Sequence, residues 1–129
     1  MSLPLANLKF DANGLIPAII QQSGTGQVLM MAWMNAEALR RTVETGRVHF
    51  FSRSRNKLWV KGETSGHWQT VKSIRTDCDA DVLLIEADQV GAACHEGYAS
   101  CFFRELKDEN FEIVEQRLVD PDSVYRRNG

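Results

Sequence analysis

The sequence predicts an α+β domain, mainly antiparallel β-sheet with one clear helix, and three observations predict it. Short runs of β-branched and aromatic residues recur along the chain, separated by turns rich in Gly, Asp, Asn and Ser. A single segment carries helix start and stop signals at a suitable separation. No internal repeat, low-complexity tract or linker divides the 129 residues, which suffice for one core and little more. The expected organisation is one domain over 1–129, with a short, flexible C-terminal tail at 121–129.

Taken in order, residues 1–13 lack periodicity and end in the turn-like Asp11-Ala12-Asn13-Gly14. Residues 15–20 read as a strand in which Pro17, having no N–H to donate, belongs at a sheet edge or a strand start. The turn Ser23-Gly24-Thr25-Gly26 leads into 28–33, a buried strand placed to pair with the first as a hairpin. Asn35 is an N-cap residue, Glu37 falls in the first turn, and Gly46 can take the left-handed C-cap conformation. A helix of about ten residues between them would bury Ala38, Leu39, Thr42 and Val43. Strand signals return at 48–51, 58–60 and 68–74. The connection 61–67 is polar and contains two glycines, so it is expected to be an exposed loop. Residues 82–85 are the strongest buried-strand candidate; 100–106 and 111–116 follow, joined by the charged turn 107–110.

Apolar residues make up 43% and charged residues 25%, ordinary values for a globular protein. With 15 basic and 17 acidic residues the formal net charge is −2, which gives no general attraction to a nucleic-acid polymer. A local basic pocket for a small phosphorylated ligand remains compatible with it. The N terminus shows no basic leader with an apolar core, and no run approaches the ~20 apolar residues of a bilayer span, so a cytoplasmic location without membrane contact is expected. In that reducing compartment three cysteines point to free, metal-bound or catalytic thiols, although the odd count alone excludes neither one disulfide nor a bridge between chains.

Cys78, Cys94 and Cys101 stand in polar, Gly-containing stretches rather than in apolar strand cores. Each alone is more often a small buried hydrophobe than a ligand. Together they offer three soft thiolates, donors that Zn²⁺ takes in tetrahedral sites, though not in the CxxC spacing of a finger. Asp77, Asp79 and Asp81 alternate, so an extended backbone would turn all three carboxylates to one face and Cys78 to the other. Their mutual repulsion would be relieved by a hard cation such as Mg²⁺, which prefers oxygen ligands. A solvated turn ahead of the strand at 82–85 is the alternative.

Several separated blocks resemble one family. Trp59-Val60-Lys61-Gly62-Glu63-Thr64-Ser65-Gly66, Asp77-Cys78-Asp79-Ala80-Asp81 and Cys94-His95-Glu96-Gly97-Tyr98-Ala99-Ser100-Cys101-Phe102 are similar to signature segments of phosphoribosyl-AMP cyclohydrolase from histidine biosynthesis. Gly26-Gln27-Val28-Leu29-Met30-Met31-Ala32-Trp33-Met34-Asn35 resembles that family's N-terminal block, and the match runs in the family's order from Asp11 to Leu106. The resemblance implies that Cys78, Cys94 and Cys101 bind catalytic zinc, Cys78 coming from one subunit and Cys94 and Cys101 from the other. It implies a Mg²⁺ site at Asp77, Asp79 and Asp81, and an intertwined homodimer as the functional unit. It further implies the monofunctional form, without the phosphoribosyl-ATP pyrophosphohydrolase domain that many relatives carry.

The activity so implied is hydrolytic opening of the adenine ring of 1-(5-phosphoribosyl)-AMP at the N1–C6 bond by zinc-activated water, the third step of histidine biosynthesis. Substitution at N1 makes the C6 amidine carbon more electrophilic, and three thiolates leave zinc a fourth position for water. Breaking N1–C6, rather than losing the exocyclic nitrogen, separates a hydrolase acting on a cyclic amidine from a deaminase; that choice rests on the resemblance. His95, adjoining Cys94, is the first candidate for proton transfer and His67, after the Gly-containing loop, the second. Glu96 is placed either to orient an imidazole or to carry the proton, while His49 reads as a packed strand residue. Arg53, Arg55, Lys57 and Lys61 form a local positive run for the two phosphates, with Thr64, Ser65 and Gly66 as compact donors. Trp59 offers a face for the purine, and Trp68 reads as core. Two rival classes are a noncatalytic zinc-stabilised interaction module, which a closed four-ligand shell would favour, and a purine or pyrimidine deaminase. The second lacks the H-x-E and P-C-x-x-C pattern of one major zinc deaminase group.

Overall fold

A computed structural model describes residues 5–125; the part of the expected flexible tail at 126–129 lies outside the described residues. After a short 3₁₀ turn at Leu5–Asn7, the chain forms β1 (Ile16–Gln22), β2 (Val28–Met34), α1 (Ala36–Thr45), β3 (His49–Ser52) and β4 (Lys57–Val60). It continues through β5 (Gln69–Thr76), β6 (Leu83–Gln89), β7 (Arg104–Lys107), β8 (Asn110–Ile113) and a short helix, α2 (Pro121–Tyr125). One four-stranded sheet has the order β2-β1-β6-β5; β3-β4 and β7-β8 are separate two-stranded ribbons.

The hairpin of β1 and β2 forms as expected, with Ile16 opposite Met34 and Ile19 opposite Met31. Pro17 stands at the start of β1, one residue before β6 begins to pair at Ala18, so its missing N–H interrupts no ladder there. The pairings are mainly antiparallel, as expected, but β1 and β6 at the centre of the sheet run parallel, making it mixed. A parallel pair needs a long crossover connection. Here α1, the β3-β4 ribbon and β5 supply it, which brings β6 back beside β1 in the same direction.

Period-two alternation decides the core. Ile16, Ala18 and Ile20 of β1 and Leu83, Ile85 and Ala87 of β6 point to one face and are buried. Met34, Leu39, Val48 and Phe50 complete the same cluster. Helix α1 matches its sequence signals closely: the Asn35 side chain accepts the Ala38 N–H at 2.8 Å, and Gly46 adopts φ +73 while donating its N–H to Thr42 O. Glu37 accepts from Arg40 and Arg41, both at 3.0 Å, and hydrogen bonds from these guanidinium groups hold its carboxyl below the usual range. Ala38, Leu39 and Thr42 are buried.

Stretches 61–67 and 100–103 differ from their sequence reading, and the strand read at 111–116 ends at Ile113. Residues 61–67 are not uniformly exposed, because Lys61 and Gly62 are buried. Gly62 has φ +97, and a Cβ there would come within 2.8 Å of the Trp68 backbone, so the loop's first residues are pressed into the fold. Residues 100–103 are irregular rather than strand: Cys101 N–H donates to Leu29 O at 2.7 Å and Ser100 Oγ to Val28 O at 2.8 Å, which docks the segment on β2. Regular pairing starts only at β7, whose hairpin with β8 turns at the expected charged residues.

Candidate active site

The acidic residues converge, but not by alternation along an extended strand. Residues 77–80 form a turn, closed by Ala80 N–H on Asp77 O at 3.1 Å, with Ala80 at φ +59. Asp77 Oδ1 accepts the N–H groups of Asp81 at 3.0 Å and Val82 at 3.3 Å. The turn brings one carboxylate oxygen from each of Asp77, Asp79 and Asp81 within 4.8 Å of one another. Desolvation pushes Asp77 up, yet the hydrogen bonds it accepts outweigh this and leave its carboxyl below the usual range. Asp81 is raised, first by its side-chain hydrogen bond with Asp77 and then by desolvation and the charges of Asp77 and Asp79. Proximity of three exposed carboxylates fits a hard, oxygen-seeking cation.

The sulfur residues separate into a pair and a single thiol. Cys94 is buried with Tyr98 and Phe103, whose rings stack at 3.8 Å, so it does not stand in the polar surroundings that its sequence neighbours suggest. Cys101 lies near enough to Cys94 for the charge of one to act on the other; the residue is exposed, but its thiol is desolvated. That desolvation, then the charge of Cys94, push the Cys101 thiol up to about 11, against the lowering influence of Lys61. Glu96 N–H points at Cys94 Sγ at 3.4 Å within a tight turn in which Gly97 N–H donates to Cys94 O. Cys78 sits apart, exposed in the acidic turn, and the one three-residue group of possible metal donors among the described residues is the aspartate set. Two converging thiols with an N–H aimed at sulfur fit a soft or borderline cation such as zinc, and supply part of a tetrahedral shell.

A cleft of about 330 Å³ opens over β4 and the loop after it, and His95, the neighbour of Cys94, is part of its lining. Arg55, Lys57, Trp59, Lys61, Thr64, Ser65 and His95 line it, joined by Ser52, Val60, Gly62 and Glu63. His95 is exposed at its rim. Other expected residues lie elsewhere. Arg53 covers the Trp33 ring at 4.8 Å, and Gly66 is not part of the wall. His67 Nδ1 bonds to Ala92 O at 3.0 Å, which makes Nδ1 the protonated nitrogen because a carbonyl only accepts. Its ring packs on Gly91, where a Cβ would approach it to 2.7 Å. Trp59 is shared between the cleft and the core, its ring 5.0 Å from Phe50. Of the added lining residues, Val60, Gly62 and Glu63 lie inside the block from Trp59 to Gly66, whereas Ser52 lies outside it.

The C-terminal segment closes over the sulfur loop. Leu118 and Val119 N–H donate to Gly97 O, Arg117 Nε donates to Glu96 O at 2.9 Å, and a Cβ on Gly97 would meet Val119 O at 2.2 Å. Glycine is therefore required at 97 by close approach as well as by its φ of +94.

A cleft with cationic, hydroxyl and aromatic walls and one histidine at its rim fits a hydrolase of a phosphorylated ligand as its class. Comparison with known proteins makes this specific. The family model described as phosphoribosyl-AMP cyclohydrolase matches residues 30–103. The chain is 56% identical over 116 residues to phosphoribosyl-AMP cyclohydrolase of Nitratidesulfovibrio vulgaris, covering 89% of this chain and 92% of that protein. It is 54% identical over 126 residues to the protein of the same description from Chlorobaculum tepidum, covering 97% and 92%. The histidine biosynthesis bifunctional protein HisIE of Thermoanaerobacter pseudethanolicus is 54% identical over 121 residues, 94% of this chain but 56% of that protein. The chain belongs to the phosphoribosyl-AMP cyclohydrolase family, and is a hydrolase of histidine biosynthesis.

Proposed function

We propose that the chain opens the adenine ring of 1-(5-phosphoribosyl)-AMP by hydrolysing the N1–C6 bond, the third step of histidine biosynthesis, as a cytoplasmic homodimer using Zn²⁺ and Mg²⁺. The observation that carries this reading is the cleft walled by Arg55, Lys57, Trp59, Thr64 and Ser65 with His95, the neighbour of Cys94, in its lining. Cys78 of one subunit would complete the zinc shell begun by Cys94 and Cys101 of the other. When bound, zinc supplies Lewis acidity that brings the pKa of water toward ~7 and so provides a nucleophile at neutral pH. Asp77, Asp79 and Asp81 would hold Mg²⁺ through oxygen.

The chain's own groups do the rest. Arg55 and Lys57 offer charge to the substrate phosphates at the cleft mouth, and Thr64 and Ser65 line the same wall. Trp59 presents a ring against which the purine stacks. His95 moves the proton between the entering water and the departing N1, and Glu96 orients the segment by its N–H on Cys94. His67 holds Ala92 from behind and supports the loop.

Dimerisation is supported by an exposed apolar face. Phe102, Leu106, Phe111, Ile113 and Leu118 are each more than half exposed, and both strands of the β7-β8 hairpin lie open on the surface. An apolar patch of this kind marks an interaction surface, and a second chain would bring an exposed Cys78 to Cys94 and Cys101. Among the described residues, no helix is long and apolar enough to cross a membrane.

Purified protein incubated with the N1-phosphoribosyl adenine nucleotide tests the reading directly. Ring opening should be lost on zinc removal and return on zinc addition. Full turnover in verified zinc-free protein, or release of ammonia in place of ring opening, would contradict it.

A further inference from the structure

Lys61 belongs by sequence to a basic run, yet its ammonium does not reach for solvent. The residue is 8% exposed, and Nζ donates to Ala93 O at 2.5 Å, bridging 32 positions of sequence. Its backbone is equally fixed: Lys61 N–H donates to Val48 O at 3.0 Å, and Gly62 beside it is wedged against Trp68. A buried ammonium is costly unless an opposite charge accompanies it. Among the described residues no carboxylate pairs with Lys61. Burial accordingly lowers the ammonium's pKa, and the groups that oppose this are Cys101 and Cys94. The carbonyl that Lys61 grips belongs to the residue immediately before Cys94, and His67 grips the carbonyl before that.

We propose that Lys61 is a positioning residue for the thiol pair: its buried ammonium anchors the backbone at Ala93 and sets a fixed positive charge against Cys94 and Cys101, holding both sulfurs toward one cation. This rests on the reading of those cysteines as metal ligands. Three thiolates on a divalent cation leave negative charge over, and an adjacent buried cation offsets it where water cannot. The same contact commits the ammonium of a lysine that lines the cleft to a backbone carbonyl.

The test uses the full chain, stripped of metal and titrated with Co²⁺ alone, reading the sulfur-to-cobalt charge-transfer absorption. Lys61→Met, which keeps the apolar stem and removes the charge, should weaken Co²⁺ binding by about 10–100-fold and alter the charge-transfer band. Lys61→Arg should recover most of the affinity. Lys61→Met binding Co²⁺ with unchanged affinity and spectrum, while only KM rises, would overturn the proposal in favour of a phosphate contact. A wild-type chain without the charge-transfer band overturns both the ligand assignment and this inference, which separates the two failures. A measurement needing no variant guards against misfolding. On brief acetylation of the metal-loaded wild type, Lys61 should be the slowest lysine to react and should speed up when metal is removed. Acetylation of Lys61 as fast as Lys57 would overturn the proposal.

Discussion

The two ligand-bearing segments, the turn at 77–81 and the loop at 94–101, are built in opposite ways. The acidic turn is exposed, is organised by its own backbone and gathers its three donors within one chain. The sulfur loop is packed around Cys94 under stacked aromatic rings, is held from outside by Lys61, His67 and Arg117, and offers only two donors. The difference teaches how each donor type must be presented. Carboxylates keep their charge in water and need only to be drawn together, whereas a desolvated thiol gives up its proton readily only beside a compensating charge.

Replacing one donor in each segment should break the comparison most sharply. Cys94→Ser is expected to remove bound zinc and most turnover, with folded protein still recoverable by circular dichroism; retained zinc would mean that the loop is not the soft site. Packing comes next. Phe103 is 2% exposed and stacked on Tyr98, so Phe103→Ala should cost about 3–5 kcal/mol in a urea melt and weaken metal binding at Cys94 with it. Asp79→Asn should weaken the Mg²⁺ response of the activity by about tenfold while leaving zinc content intact; an unchanged Mg²⁺ titration removes Asp79 from the acidic site. The smallest effect is on the turn itself. Ala80 sits at φ +59, where glycine is unstrained, so Ala80→Gly should raise stability by about 0.5–1 kcal/mol, read from the same melt. A loss of stability there would show that the turn does not carry the strain its backbone implies.

Much of the frame was legible from local chemistry. Asn35 and Gly46 marked both ends of α1 because caps are local hydrogen-bond devices, and alternation marked β1 and β6 because burial on one face leaves a period of two. The parallel pairing of β1 with β6 was not legible, since nothing in either strand records the direction of its neighbour. Proximity of Asp77, Asp79 and Asp81 was expected for the wrong reason: spacing suggested a strand face, and a turn with Ala80 left-handed produced the cluster. Cys94 was read as standing in polar surroundings and Lys61 as part of a basic run for phosphates, but Cys94 packs with Tyr98 and Phe103, and Lys61 is buried with its ammonium on a carbonyl 32 positions away. His67 is tied through Nδ1 to Ala92 O, a contact 25 positions away that its sequence neighbours do not announce. Local signals placed the elements; only tertiary contacts placed the side chains.

The shared sulfur site can be tested by co-expressing Cys78→Ser and Cys94→Ser chains, each inactive alone. If each zinc takes Cys78 from one subunit and Cys94 with Cys101 from the other, every mixed dimer regains one intact site, and random pairing should restore about a quarter of wild-type turnover. No recovered turnover from mixed dimers that have been isolated and shown to be folded would contradict a site divided between subunits.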